Sequence, residues 1–287
     1  MRAAHLIFTS LFAFSRGLNV AVLGNHNPSA WGTNCTASDA AFTECNLSLF
    51  GAAAAQAGDL RADLLVFPEG YSLARLYKGA QFESLVSSVG GAAPCDAPAA
   101  AGAPQQAALS CLARAHRFVI AANVFVTLAN GSSRIAELVF DPTGAAASVY
   151  FKHHLFPNEV AAGVSAGPFA PTVFPALGRV WGVIICYEGV YPFLTGDFSQ
   201  MDALKAAGAD AFVWSVGGEA PLDALSAALA EKYKVDVVAA MDASVEASGG
   251  AIYNSSGAPL PYHDARVRVG GGYTGAATLR TAVIAGR

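Results

Sequence analysis

Charge is scarce in this chain of 287 residues: 13% of positions are charged, with 17 Lys and Arg against 21 Asp and Glu. No basic patch accumulates, which leaves nucleic-acid binding without support. Hydrophobic residues make up 54% of the chain, yet no apolar run is long enough to span a bilayer. The glycine-rich stretch VGGGYTG, Val269 to Gly275, lacks the Lys-Ser/Thr that follows in a phosphate-cradling loop. Metal-ligand spacing is missing too. His153 and His154 are adjacent, so on a strand they face opposite sides, and they read as surface or satisfied histidines. His116 closes a helix-like segment, a position that suits its positive form. No linker or internal repeat divides the chain, which reads as one domain over residues 18–287 behind a leader over residues 1–17.

What is present begins with that leader. MRAAHLIFTSLFAFSRG carries Arg2 and His5, then an apolar stretch from Leu6 to Phe14, then Ala13-Phe14-Ser15, which has small residues where a signal peptidase needs them. The alternative is a first strand or helix of the fold. Four N-x-[ST] sequons, at Asn34, Asn46, Asn130 and Asn254, agree with export. So do the five cysteines. Cys35 and Cys45 are near neighbours, and Cys95 and Cys111 flank an Ala/Pro-rich segment, which suits an oxidising, secreted or lumenal setting. Spacing alone does not dictate connectivity; the local pairing is the expectation, with Cys186 left free.

Apolar strand-like runs alternate with helix-like ones. Strands are expected at 18–23, 63–67, 149–151, 179–186, 211–215 and 235–241, with a hairpin formed by 118–128 and 135–140 around Asn130-Gly131. Helices are expected at 41–57, 105–116, 201–207 and 221–233. The segment 90–104 reads as a surface loop, and the tail from 249 to 285 as Gly-rich strands. Such alternation means an α/β fold with a largely buried sheet.

The stretch VWGVIICYEGVYP, Val180 to Pro192, is the most informative. Its β-branched run ends in Cys186, and Gly189 and Pro192 read as a turn. Taken alone, the cysteine is either core filling or a nucleophile at a strand tip. Two other strand ends bear on the choice: Glu69 follows LLVFP, and Lys152 follows VYF. A thiol, a carboxylate in an apolar setting and a fixed ammonium are what thiol-based acyl transfer requires. They attack the carbonyl, move the proton and hold the oxyanion.

FPEG, YFKHHLFPNE and GVIICYEGVYP, in this order, resemble the three signature segments of the nitrilase superfamily of carbon–nitrogen hydrolases. The resemblance implies an αββα four-layer sandwich. It implies Glu69 as general base, Lys152 as oxyanion-stabilising cation and Cys186 as nucleophile. The backbone N–H of Tyr187 would complete the oxyanion hole, and Glu159 would orient the lysine. No metal or organic cofactor is implied. The leader, the sequons, the tract after Cys186 and AIYNSSGAPLPYHD look like the vanin and biotinidase group, exported amidases acting on pantetheine or biocytin. Members of that group carry an additional C-terminal domain, whereas this chain stops where the catalytic domain should end.

Tyr71, Glu188, Gly217, Gly218 and Glu219 are the candidate pocket residues, with Glu188 reading equally as a turn carboxylate. In VWSVGGEAP, where the vanin group shows a proline and a tryptophan-containing turn, Gly217 and Gly218 are expected to widen the pocket. Glu219 is expected to favour a cationic substrate end. The expected partner is a small amide; a homo-oligomer is left open. The alternatives are a general nitrilase-type amidase or carbamoylase, and a non-catalytic binding protein on the same fold.

Overall fold

The computed structural model describes residues 17–24, 27, 30–80, 82–96, 102–218, 220–242, 249–269 and 273–286. Residues 1–16 of the expected leader, and Glu219, lie outside the described residues. Strands β1 (Leu18–Gly24), β2 (Leu64–Val66), β3 (Glu83–Ser84), β4 (Val119–Thr127), β5 (Ser133–Phe140), β6 (Ala146–Phe151), β12 (Tyr262–Arg266) and β13 (Thr278–Ile284) form one sheet. The second sheet holds β7 (Val173–Ala176), β8 (Arg179–Ile185), β9 (Ala211–Val216), β10 (Asp236–Met241) and β11 (Gly250–Tyr253). The first has the order β12-β13-β1-β2-β4-β5-β6, with β3 pairing β4; the second has β11-β10-β9-β8-β7. β1, β2 and β4 run parallel, as do β8, β9 and β10.

The helices are α1 (Thr33–Thr36), α2 (Asp39–Asp59), α3 (Pro104–His116), α4 (Pro157–Ala161), α5 (Tyr187–Thr195), α6 (Ser199–Ala206) and α7 (Leu222–Tyr233). The side-chain alternation of strands sorts the core into three layers. Val20, Val22, Leu64 and Val66 of the first sheet meet Val183, Ile185, Val213 and Val238 of the second. Their neighbours Ala21, Leu23, Leu65 and Phe67 turn outward onto Leu49, Phe50 and Ala53 of α2 and Leu109 of α3. On the far side Ile184, Phe212 and Trp214 pack on Met201 and Leu204 of α6 and Leu229 of α7. Two sheets thus face each other with helices outside both, the αββα order.

Two readings of the sequence need correction. Gly189 and Pro192 do not make a turn: they lie inside α5. Glycine is needed at 189 because a Cβ there would stand 2.3 Å from the Trp214 ring. His153 and His154 lie beyond the end of β6, so strand alternation does not apply to them. Their rings meet edge to face, and His154 stacks on Tyr191.

Cys35 pairs with Cys45 and Cys95 with Cys111, while Cys186 is free. The sequons divide. Asn34 and Asn130 are exposed. Asn46, however, is fully buried within α2. Its Nδ2 donates to Phe42 O at 3.0 Å, and its Oδ1 accepts from Trp31 Nε1 at 2.8 Å. A glycan on Asn46 is incompatible with that packing, so this residue drops out as an acceptor.

Candidate active site

The parallel strands deliver their C-terminal ends to one place. Phe67 and Pro68 carry the chain from β2 to Glu69; Cys186 directly follows β8, and β9 continues into Gly217. Two successive carbonyls at the end of β9 register two of these ends. Ser215 O accepts Cys186 N–H at 2.7 Å, and Val216 O accepts Glu69 N–H at 3.3 Å. Gly70 N–H, next along, donates to Asn123 Oδ1 of β4 at 2.8 Å.

Glu69 and Lys152 are 0% exposed and Glu159 is 1% exposed. Lys152 Nζ donates to Glu69 Oε1 at 2.7 Å and to Glu159 Oε1 at 2.5 Å. Glu159 stands in the first turn of α4, where its Oε2 accepts Phe156 N–H at 2.7 Å. That bond fixes the second carboxylate with respect to the chain leaving Lys152. An ammonium sealed from water needs such partners. Burial works against the Lys152 charge, but the charges of Glu69 and Glu159, joined by that of Cys186 only when its thiol is ionised, outweigh it and hold its pKa above the ordinary value. For Glu69, burial wins: its carboxyl rises from 4.5 to about 7, against the pull of Lys152 and of the Cys186 thiol. Burial, and then the charge of Glu69, raise the Cys186 thiol well above its usual value, so it rests protonated.

Cys186 takes a positive φ of 43°, an uncommon backbone conformation for a residue with a side chain. The strain sits between β8 and α5 and turns the thiol into a cleft of about 610 Å³ that Glu69 and Glu159 also line. Sγ also contacts Gly217 O at 3.4 Å. Tyr187 is the first residue of α5, so its N–H has no intrahelical acceptor. It lies at the positive end of the helix, beside the thiol.

The pocket candidates separate. Tyr71, Tyr187, Gly217 and Gly218 line the cleft. Gly217 does not widen it in the manner expected: a Cβ there would come within 2.5 Å of Glu69 Oε2 and 2.9 Å of Tyr71 Cδ2. The glycine is what lets Glu69 fit. Gly218 has φ 79° and donates its N–H to Asp242 Oδ1 at 2.7 Å. Glu188 is not a pocket residue. It lies in the first turn of α5 and reaches back into the protein, where Oε2 accepts Ile185 N–H at 2.9 Å. Its Oε1 accepts Tyr150 OH at 2.6 Å and His153 N–H at 2.7 Å. Among charged groups, sequence reasoning missed Asp242 in the cleft wall. It follows β10 directly, and the strand-end position that singles out Glu69, Lys152 and Cys186 singles it out too. Burial raises its carboxyl to about 6. Phe156, just before α4, and Val190 and Leu194 of α5 complete much of the wall.

This arrangement has defined chemical capacities. A carboxyl that titrates near neutrality beside a thiol can accept its proton. A helix N-terminal N–H and a nearby ammonium can hold an oxygen that gains negative charge.

Solved structures agree with the architecture. An amidase from Nesterenkonia sp. superposes with a TM-score of 0.65 at 17% identity, over 94% of this chain and 91% of that one. A glutamate mutant of the amidase from Nesterenkonia sp. AN1 shows covalent addition of the acetamide moiety of fluoroacetamide at its active site cysteine. It matches with a TM-score of 0.67 at 18% identity, over 94% and 92% of the two chains. A cysteine mutant of the same amidase in complex with butyramide gives 0.66 at 18% identity, over 94% and 92%. No curated protein sequence matches at a significant level. The family model for carbon–nitrogen hydrolases matches residues 34–204, a span that includes Glu69, Lys152 and Cys186, and the chain belongs to that family.

Proposed function

We propose that the protein is a thiol amidase that hydrolyses a linear, non-peptide carboxamide through a thioester on Cys186. The observation that carries this reading is the buried Glu69–Lys152–Glu159 ladder opening onto the Cys186 thiol in one cleft. Glu69 takes the thiol proton as sulfur attacks the amide carbon. The Tyr187 N–H and the Lys152 ammonium stabilise the oxyanion. Glu69 returns the proton to the departing amine, leaving a thioester. Water, deprotonated by Glu69, attacks the thioester; the acid leaves and the thiol is restored.

The substrate reading is finer. A cleft of about 610 Å³ offers more room than a small primary amide requires. That room supports the vanin- or biotinidase-like choice of a secondary amide with a thiol-amine or amino-acid leaving group. Comparing kcat/KM on pantetheine, biocytin and butyramide tests both levels. Turnover of either secondary amide above butyramide supports the finer reading. Turnover of butyramide alone removes it and leaves the amidase. Failure on a broad amide panel removes the amidase. The two disulfides support an exported location. N-terminal sequencing of protein recovered from the medium tests it, and a chain found inside the cell with its leader intact contradicts it.

A further inference from the structure

Ser215 Oγ has one hydrogen and two close oxygen neighbours. It lies 2.8 Å from Phe67 O and 2.8 Å from Glu137 Oε1. A backbone carbonyl can only accept. The Ser215 hydrogen therefore goes to Phe67 O, and the second contact needs its hydrogen from the other side. Only Glu137 can supply it.

The surroundings agree. Glu137 is 1% exposed and sits between the two sheets, on the same β5 face as Ile135 and Val139. No lysine, arginine or histidine forms an ion pair with it among the described residues, and its Oε2 has no hydrogen-bond partner there. An ionised carboxylate so placed carries a large desolvation cost. Asn123 faces it from β4 and Tyr150 from β6 by strand register. Ser215 faces it from β9, and the nearby charges are those of Glu69 beyond β2 and Glu188 of α5, both negative. Lys152, the nearest buried cation by strand order, is engaged by Glu69 and Glu159. Burial first, and those two negative charges, raise the Glu137 carboxyl to about 8, against the contacts of Ser215 and Asn123.

We propose that Glu137 is a neutral carboxylic acid whose proton completes a strut between the sheets, Glu137 O–H to Ser215 Oγ and Ser215 O–H to Phe67 O. Phe67 lies two residues before Glu69, and the Ser215 carbonyl holds Cys186 N–H. The strut therefore sets the base against the nucleophile, and Glu137 is a positioning residue. Loss of its proton leaves an anion that competes with Phe67 O for the single Ser215 hydrogen. The link to Glu69 is then broken. This role rests on the amidase reading only where it concerns turnover.

Two measurements test it. The infrared difference between wild type and Glu137→Gln should show a carboxylic-acid carbonyl band at pH 7 that fades through about pH 8. No such band at pH 7 overturns the strut, whatever the enzyme hydrolyses. In turnover, wild-type kcat/KM should fall above about pH 8. Glu137→Gln, whose amide can donate to Ser215 as the acid does, should stay within about threefold of wild type at pH 7 and lose that alkaline fall. Glu137→Leu, which cannot donate, should lose at least about tenfold against wild type at pH 7, with the gap narrowing above about pH 8. An unchanged alkaline fall in Glu137→Gln, or a fully active Glu137→Leu, overturns the positioning role. If wild type hydrolyses no amide, the amidase reading fails, while the infrared band still decides the strut.

Discussion

The ammonium of Lys152 stands 2.7 Å from Glu69 Oε1, and both side chains are completely shut off from solvent. Glu159 holds the same ammonium from its other side at 2.5 Å. One cation thus serves two carboxylates, and the site's protonation depends on it.

Removing that cation while keeping the volume should be costly. Lys152→Met leaves two buried carboxylates without a counterion and should destabilise the fold by about 3–5 kcal/mol. Urea unfolding measures it. Adding Glu159→Gln should restore part of the loss, because one of the stranded charges is gone. A Lys152→Met protein within about 1 kcal/mol of wild type contradicts a charged Lys152 in the resting site.

Acid should switch the enzyme off early. Glu69 must be ionised to take the thiol proton, and burial lifts its carboxyl to about 7. The ionised fraction falls as pH drops through that value. Because Glu69 titrates together with Lys152, Glu159 and Cys186, the limb belongs to the cluster. The expected kcat/KM loses about tenfold per unit below the limb. A profile flat down to pH 5 contradicts Glu69 as the base.

Gly217→Ala should damage catalysis more than stability. The new Cβ would sit 2.5 Å from Glu69 Oε2, so the base must shift. A misplacement of about 1 Å costs on the order of 10²-fold in rate. Thermal unfolding and kcat/KM measured together separate the two effects. Full activity in this variant contradicts the close approach of Gly217 to Glu69.

Glu137 should make the fold sensitive to alkali. Its carboxyl is held near 8 when folded against an ordinary 4.5. Between those values the unfolded chain has released a proton that the folded chain keeps. This contribution is fully present below about pH 4.5 and is lost as pH rises to about 8. Replacing the side chain with Gln removes that dependence. The Tm difference, Glu137→Gln minus wild type, should therefore grow from pH 5 to pH 8. A difference that stays constant contradicts a proton on Glu137.

The α/β alternation was legible because it depends on periodicity, whereas the αββα order came only from the resemblance of the three signature segments. The runs around Val20, Val183 and Val213 are buried on both faces and read as strands without help from the rest of the chain. Glu69, Lys152 and Cys186 stood out because each follows a strand-like run, although the one before Lys152 alternates between buried and half-buried positions. α5 was hidden, since Gly189 and Pro192 ordinarily stop helices. Only contact with Trp214, distant in sequence, shows why glycine belongs there. Glu188 was ambiguous for a related reason: whether it faces the cleft or the strand end depends on the helix phase, which a turn reading leaves undefined. The Glu137–Ser215–Phe67 strut joins β5, β9 and the residue that follows β2, and no local pattern records that meeting. Asn46 shows the reverse error. Its sequon is complete, but the pattern carries no information about burial.

The most direct test of the account is to look for acyl transfer at Cys186. The protein is incubated with a secondary amide it hydrolyses, quenched in acid, and digested for mass spectrometry. The account predicts that the acyl group appears on the peptide containing Cys186. It also predicts that added hydroxylamine diverts the acyl group to a hydroxamate, and that Cys186→Ala shows neither adduct nor turnover. Hydrolysis that persists in Cys186→Ala, or an acyl group found on another residue, contradicts it.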